Sequence, residues 1–389
     1  MKESIKIKNM GPLRDIFIED IRPMTILIGE SGSGKSLLMK TLILFRYIYK
    51  MLNIRWYLKN SNVNKSRFKL TIGNLLSPEL KHYFKDNKQL EVEYTVEING
   101  NKHSVTYRNG TINRSATDKA IPNEDLIFLK ECWISEMRNI IPDWDSFTHN
   151  IKKRNLNYYF QETLNDFLDA SDKLKNIPLN YLGLSLDIEK KGEHKKYFIK
   201  PFDDSYPPIE WKYASSGIQT SSSIPTIVDY FANSFSFKEA IGRSIISYLY
   251  ETDTLRLYKP ELEPMDMKKM VHIHIEEPEL NLYPTAQCRL MDSITKEAFM
   301  SVAEDRELRL IIATHSPYII NYLNVLINRK GRNKARIDKA NLAVYRIYDG
   351  MLQNLIATDE EGLIFVDTQD LTEQMEDIMT EYEYLTNHK

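Results

Sequence analysis

Polar and apolar positions alternate from the start of the chain. Residues 4–18 read as a strand, a turn over 9–12 built from Asn, Gly and Pro, and a second strand. Residues 24–28, Met-Thr-Ile-Leu-Ile, are a short apolar run of the kind carried by strands buried on both faces. The period then changes. Residues 37–58 repeat with helical spacing and are rich in Leu, Ile and Tyr, which predicts a long helix, and the basic and polar stretch 59–69 predicts a loop. Alternation returns over 90–98. Asn99-Gly100-Asn101 supplies turn chemistry and 103–107 completes an antiparallel hairpin. A helix is predicted over 155–175, and a second hairpin over 184–200 turns near Gly192.

The second half reads differently. Helices are predicted over 217–231 (despite Pro225) and 237–250. A strand over 271–275, a helix over 284–303, a strand over 308–313 and a helix over 317–326 follow in alternation. Such alternation predicts a mainly parallel sheet with right-handed crossovers. Residues 342–348 add a strand, and 371–385 close with an acidic helix.

Composition narrows the class. The chain has 389 residues, 42% hydrophobic and 27% charged, so a folded protein with a sizeable core is expected. The net charge of −2 provides no global field toward nucleic acid or an anionic membrane. The two cysteines, Cys132 and Cys288, give no disulfide framework and fit a reducing compartment. Residues 1–8 lack the apolar core of a signal peptide, and no apolar run is long enough to span a bilayer. A cytoplasmic protein without a membrane partner is expected.

Gly29-Glu30-Ser31-Gly32-Ser33-Gly34-Lys35-Ser36 fits G-x-x-x-x-G-K-[ST] throughout. An apolar strand precedes it and a helix follows. Glycines let backbone N–H groups curl around phosphate, and the helix directs its positive end at the anion. Lys35 is expected to reach the β- and γ-phosphates of ATP, and the Ser36 hydroxyl to ligate Mg²⁺.

Val271 to Ile275 ends in Glu276-Glu277-Pro278-Glu279. A strand delivering carboxylates beside phosphates suits a metal ligand, Glu276, and a general base, Glu277. Taken alone, the stretch also reads as an ordinary acidic loop. His272 and His274 share a strand face; with no third ligand evident, they read as sheet-face histidines. The next strand ends in Thr314-His315-Ser316-Pro317, where His315 can hydrogen-bond a γ-phosphate and the attacking water. Tyr213-Ala214-Ser215-Ser216-Gly217-Ile218-Gln219 precedes a helix and reads either as a phosphate contact or as a simple cap.

These four elements, in this order, resemble the ABC-type ATPases, a superfamily that includes transport motors, structural-maintenance-of-chromosomes heads, RecF and the overcoming-lysogenisation-defect (OLD) nucleases. Glu276-Glu277-Pro278-Glu279, Leu282-Tyr283-Pro284 and Thr314-His315-Ser316-Pro317 look most like the OLD and RecF side, many of whose members are prokaryotic anti-phage ATPases. The resemblance implies an α/β P-loop ABC-type head with a mainly parallel core sheet, an antiparallel β subdomain and a helical insert. It implies one ATPase domain of two lobes over 1–389, with an insert of hairpins and helices over 59–213 and a C-terminal strand and acidic helix over 340–389. Two heads would sandwich two ATP molecules, and Ser215 and Gly217 would complete the partner's site. The chain departs from the family pattern in three places. Glu276 stands where an aspartate is usual. Ala-Ser-Ser-Gly-Ile replaces Leu-Ser-Gly-Gly-Gln. Glu136, in Ile134-Ser135-Glu136-Met137-Arg138, is the candidate for the glutamine loop. The long coiled coil of chromosome-maintenance heads and the clustered acids of the OLD nuclease domain are missing, so no nuclease centre is expected.

The expected function is therefore an ATP-hydrolysing, dimerising switch in prokaryotic defence that controls an effector, a nuclease or toxin encoded nearby. The alternative is a RecF-like or chromosome-maintenance-like repair ATPase that binds DNA directly. The basic run 329–336 and the acidic tail are candidate contacts, each with a competing reading as solvated loop or docked helix.

Overall fold

The computed structural model describes residues 1–63, 72–85, 87–113, 120–144, 157–191, 194–331 and 333–387. The chain opens with strands β1 (Lys2–Met10), β2 (Leu13–Ile18) and β3 (Met24–Ile28), then helix α1 (Lys35–Asn60) and the short α2 (Ile72–Leu75) and α3 (Pro78–Phe84). Strands β4 (Glu91–Ile98), β5 (Asn101–Arg108), β6 (Thr111–Ile112) and β7 (Ile127–Ile134) precede a 3₁₀ segment, Glu136–Asp143, and α4 (Tyr158–Lys173). Strands β8 (Asn176–Leu179), β9 (Leu184–Lys191), β10 (His194–Pro201) and β11 (Ile209–Glu210) lead into α5 (Ser216–Ser221), α6 (Ser223–Asp229) and α7 (Phe237–Glu251). The remainder is β12 (Lys268–Glu276), α8 (Pro284–Phe299), β13 (Glu307–Thr314), α9 (Pro317–Asn328), β14 (Leu342–Tyr348), β15 (Met351–Asn354), β16 (Ile356–Thr358), β17 (Ile364–Val366) and α10 (Gln369–Asn387).

One large sheet runs in the order β6-β5-β4-β1-β2-β15-β14-β3-β13-β12-β7. Its β14-β3-β13-β12-β7 half is wholly parallel, and β6-β5-β4-β1-β2 is antiparallel. The fold class is α/β as expected. A separate four-stranded antiparallel sheet, β11-β10-β9-β8, stands apart from it. Strand β3 is buried at every position and β12 at its last seven, as strands covered on both faces must be. Residues 91–134 fall inside the segment 59–213, yet they supply β4, β5, β6 and β7 to the main sheet.

The antiparallel half explains an oddity near the N-terminus. In β1, Glu3 shares the inward face with Ile5 and Ile7, and it is fully buried. Arg46 on α1 meets its carboxylate at 3.2 and 2.7 Å, Arg309 on β13 at 3.2 Å, and the Tyr94 hydroxyl donates to it. His272 and His274 extend this network. Both are fully buried and both contact Glu131 on β7, at 2.7 and 3.2 Å. They are core histidines, and among the described residues no group of three His, Cys, Asp or Glu is arranged to hold a metal. Burial pushes His274 down to about 4 and keeps it neutral.

Several boundaries differ from the sequence expectation. Helix α1 runs on through Lys59 and Asn60, and residues 64–71 lie outside the described set. The helix expected from 155 starts at Tyr158, where the Asn157 side chain accepts from the Tyr159 and Phe160 N–H groups. Gly192, the expected hairpin tip, lies outside the described residues. The helix expected over 217–231 is interrupted. Pro225 falls in the first turn of α6, where a missing N–H costs little, and a π turn covers Tyr230–Ser234. No helix among the described residues is long and apolar enough to cross a membrane.

The two surface candidates look different from each other. In the basic run, Arg329 is engaged by Asp292 at 2.7 Å and by the Ala335 carbonyl at 3.1 Å. Lys330, Lys334 and Arg336 are exposed, and Arg332 lies outside the described residues. Along α10 the side chains at 377–386 are all exposed, Ile378, Tyr382 and Leu385 among them.

Candidate active site

Sheet register brings the chemistry together. Ile28 pairs with Thr314 and Glu276 with Ala313, so β3, β13 and β12 finish level with one another. The residues that follow them, Gly29, His315 and Glu277, therefore emerge side by side at the carboxyl ends of parallel strands, where open α/β sheets place ligands.

The loop after β3 folds as its glycines allow. Gly32 and Gly34 hold φ of 81° and 105°. At Gly34 a Cβ would also stand 2.5 Å from Leu13 Cδ2, so a side chain there is both strained and crowded. Helix α1 begins at Lys35 directly after this residue. The Lys35 ammonium donates to the Gly29 and Glu30 carbonyls at 2.7 and 2.9 Å. Burial lowers its proton affinity, and the Glu277 and Glu279 carboxylates work against that shift. The Ser33 hydroxyl is buried without a partner inside the loop.

Glu276 ends β12, and the Glu277 N–H continues the ladder to Ala313 O at 2.8 Å. The chain then turns sharply, with Glu277 at φ 43°. A left-handed conformation costs a non-glycine residue about 1–2 kcal/mol, so its surroundings must hold it. Arg138, fully buried, donates to the Glu276 carbonyl at 2.7 Å and the Glu277 carbonyl at 2.6 Å.

On the neighbouring strand, Ser316 caps α9 by accepting from the Ile319 N–H, and Pro317 takes the first helical position. That cap leaves His315 at the strand end. Its backbone N–H donates to Glu279 Oε1 at 2.6 Å, while Glu279 Oε2 is buried without a partner. The His315 ring reaches the base candidate, with Nε2 3.6 Å from Glu277 Oε1; the two side chains are 34% and 37% exposed.

Glu276 is nearly buried, and it shares the cleft with Glu136 and the Ser36 hydroxyl. Burial first, then the Glu136 carboxylate, pushes Glu276 up to about 8. Two carboxyls this close need a shared proton or a cation between them. With the Ser36 hydroxyl they form a set of hard oxygen donors, which fits Mg²⁺. Lys40, one turn into α1, places its ammonium 4.8 Å from the Tyr159 ring centre and 5.7 Å from that of Trp133. Lys35, Ser36, Glu136, Glu276, Glu277 and His315 all line one cleft of about 370 Å³.

Ser215 and Gly217 are not in that cleft. Ser215 is exposed at the start of α5 and makes no side-chain cap bond. Gly217 packs against the turn after Glu277, where a Cβ would come within 2.5 Å of the Asn281 carbonyl. Sequence reasoning passed over Arg138, Lys40 and the role of Glu279. Lys40 had a signal in its spacing of one helical turn from Ser36. Arg138 had none, because its partners are backbone carbonyls, all but that of Ser135 distant in sequence.

No family model matches the chain, and no curated protein matches it in sequence. Solved structures are similar to it, among them three that are each 12% identical. One is an SMC head domain from Thermotoga maritima, with 92% of this chain and 100% of that one covered and a TM-score of 0.36. Another is an SmcHead bound to the C-terminal winged-helix domain of ScpA, covering 92% and 99% with a TM-score of 0.33. A further one is the recombination mediator protein RecF-ATPrS in the RecFOR pathway, covering 91% and 98% with a TM-score of 0.34.

Proposed function

We propose that the chain is a single ATPase domain that binds ATP with Mg²⁺ in this cleft and hydrolyses it. The observation that carries the reading is the level finish of three adjacent parallel strands. It sets the Gly29–Ser36 loop, the Glu276–Glu277 turn and His315 around one space. The loop N–H groups and the start of α1 hold the phosphates. Lys35 exchanges its two carbonyl partners for phosphate oxygens. Glu277 takes a proton from the attacking water as the water oxygen bonds to the γ-phosphorus and the bond to the β–γ bridging oxygen breaks. His315, beside Glu277, orients that water and donates to the γ-phosphoryl oxygens. Ser36 and Glu276, with Glu136 next to them, would hold Mg²⁺, which supplies positive charge to the β- and γ-oxygens.

The resemblance carries a composite site in which Ser215 and Gly217, which lie outside this copy's cleft, meet the nucleotide of a second copy. The protein is then a homodimeric switch whose output is a change of shape. We assign that output to prokaryotic defence, through an effector supplied in trans, because of the resemblance of the Glu276–Glu279 and Thr314–Pro317 segments. The test is Mg²⁺-dependent phosphate release by purified protein and by Glu277→Gln. Release that is absent from wild type, or unchanged in the variant, sinks the site assignment. ATP-dependent, salt-sensitive DNA binding by the chain alone would move the assignment to a repair ATPase acting on DNA.

A further inference from the structure

The Glu277 turn is held by a residue that belongs to neither the phosphate loop nor the acidic strand. We infer that Arg138 is a positioning residue that sets the Glu277 carboxylate for catalysis and ties that carboxylate to helix α5.

Arg138 sits in the 3₁₀ segment that continues from the edge strand β7, with none of its surface exposed. Its guanidinium donates to four backbone carbonyls. Nε reaches Thr220 O at 3.0 Å, and Nη1 reaches Ser135 O at 3.0 Å and Glu276 O at 2.7 Å. Nη2 reaches Glu277 O at 2.6 Å. These carbonyls come from three stretches of chain: the end of β7, the strand-end turn and α5.

A planar fork of fixed N–H directions is required to serve them together. Two consecutive carbonyls, those of Glu276 and Glu277, converge on one guanidinium. The residue between them is the one held at φ 43°, so the guanidinium fixes the strained turn from which the Glu277 side chain projects. Burial pulls Arg138 down to about 10, while Glu279, Glu136, Glu276 and Glu277 hold its charge in place. It stays cationic at neutral pH and balances the acids of the site.

The bond to Thr220 gives this clamp a second end. The Asn281 side chain donates to the Thr220 hydroxyl at 3.2 Å, and Gly217 rests on the Asn281 carbonyl. The helix that begins after Ser215 therefore shares one hydrogen-bond unit with the turn carrying Glu277. A displacement of α5 reaches Glu277 through the Arg138 guanidinium, which bonds both.

The inference rests on the hydrolase reading above. Its test is Arg138→Lys, which keeps the charge and removes the fork, measured alone and in the Glu277→Gln background. We expect Arg138→Lys to keep a cooperative unfolding transition and nucleotide affinity within about twofold, while kcat falls roughly a hundredfold with KM little changed, because a catalytic group displaced by an ångström forfeits that much. We expect no further loss when Arg138→Lys is added to Glu277→Gln, since the residue acts through Glu277. A turnover within twofold of wild type, a kcat loss matched by lost nucleotide affinity, or a full additional loss in the double variant overturns the assignment. If Arg138→Lys does not fold, Arg138→Gln, which keeps planar donors, is measured in the same way and read by the same outcomes. Wild-type protein without turnover overturns the hydrolase reading itself and the kinetic role of Arg138 with it. An active wild type with an unaffected variant overturns Arg138 alone.

Discussion

His315 Nε2 stands 3.6 Å from Glu277 Oε1, and the contact joins the ends of two strands that are neighbours in the parallel sheet. A carboxylate and an imidazole in this relation can share one water. The carboxylate accepts its proton, and the ring holds its oxygen in line. Both groups are about one-third exposed, so a substrate can reach them from the cleft.

Glu277→Gln keeps the size and loses the base. ATP binding should persist while phosphate release falls by roughly 10²–10⁴-fold. The bound ATP should hold two copies together, so the mass by light scattering should double when ATP and Mg²⁺ are added. His315→Ala should lower kcat by a smaller factor at unchanged nucleotide affinity. A Glu277→Gln protein that stays monomeric with ATP would remove the support for a sandwich dimer.

Gly34→Ala should abolish nucleotide binding without unfolding the chain. The position has φ 105°, and the added methyl meets Leu13 Cδ2 at 2.5 Å. Relief requires the loop to shift, which takes its N–H groups out of register with the phosphates. A cost of about 1–2 kcal/mol for the backbone conformation is small against the whole fold. Titration with a fluorescent ATP analogue, alongside a thermal melt, separates the two effects. Binding at wild-type affinity would mean that the loop does not hold phosphate.

Glu3 links acid stability to the network under the site. Burial would raise its carboxyl, but Arg46, His272 and Arg309 together bring it from the ordinary 4.5 down to about 2. A depressed folded-state value contributes stability above the unfolded value, and that stability is lost as pH falls from about 4.5 toward about 2. Glu3→Gln strands the Arg46 charge, and breaking a buried pair in this way costs about 3–5 kcal/mol at neutral pH. The gap in denaturation midpoint between wild type and variant should close through that acid window. A gap that stays constant from pH 6 to pH 2.5 would show that the charge on Glu3 is not what stabilises the fold.

The candidate site was legible wherever its signal was local. The Gly29–Ser36 loop, the acids after Ile275 and His315 each follow an apolar run, and the strand ladder then brings them level. Strand β7 was not legible. Its sequence, Ile-Phe-Leu-Lys-Glu-Cys-Trp-Ile, carries charges in the middle of a buried strand. Those charges are tolerable only because Lys130 meets Asp166 at 2.9 Å and Glu131 meets His272 and His274. Nothing within the run announces partners that lie on α4 and β12. Arg138 was hidden for the same reason, since a guanidinium bonded to backbone carbonyls leaves no pattern of residue types. Helix α10 was legible as a helix, but its exposed apolar face depends on what packs there, and periodicity carries no information on that.

The separation of Ser215 from the cleft makes a composite site testable by mixing two inactive proteins. Lys35→Ala should not turn over, because the ammonium that meets the phosphates is gone. Ser215→Arg should also be inactive if the residue meets a partner's nucleotide, yet it should fold normally because Ser215 is exposed. In a mixed dimer, one site combines both defects and the other combines an intact loop with an intact Ser215. Random assortment of an equal mixture then returns roughly a quarter of the wild-type sites to working order, as expected for a two-fold symmetric dimer. Phosphate release should rise from near zero toward that fraction as the second variant is titrated in. A site completed within one copy predicts no recovery at any ratio, because neither protein carries an intact set. If Ser215→Arg by itself retains full turnover, the segment around Ser215 is a helix start and not part of the catalytic apparatus.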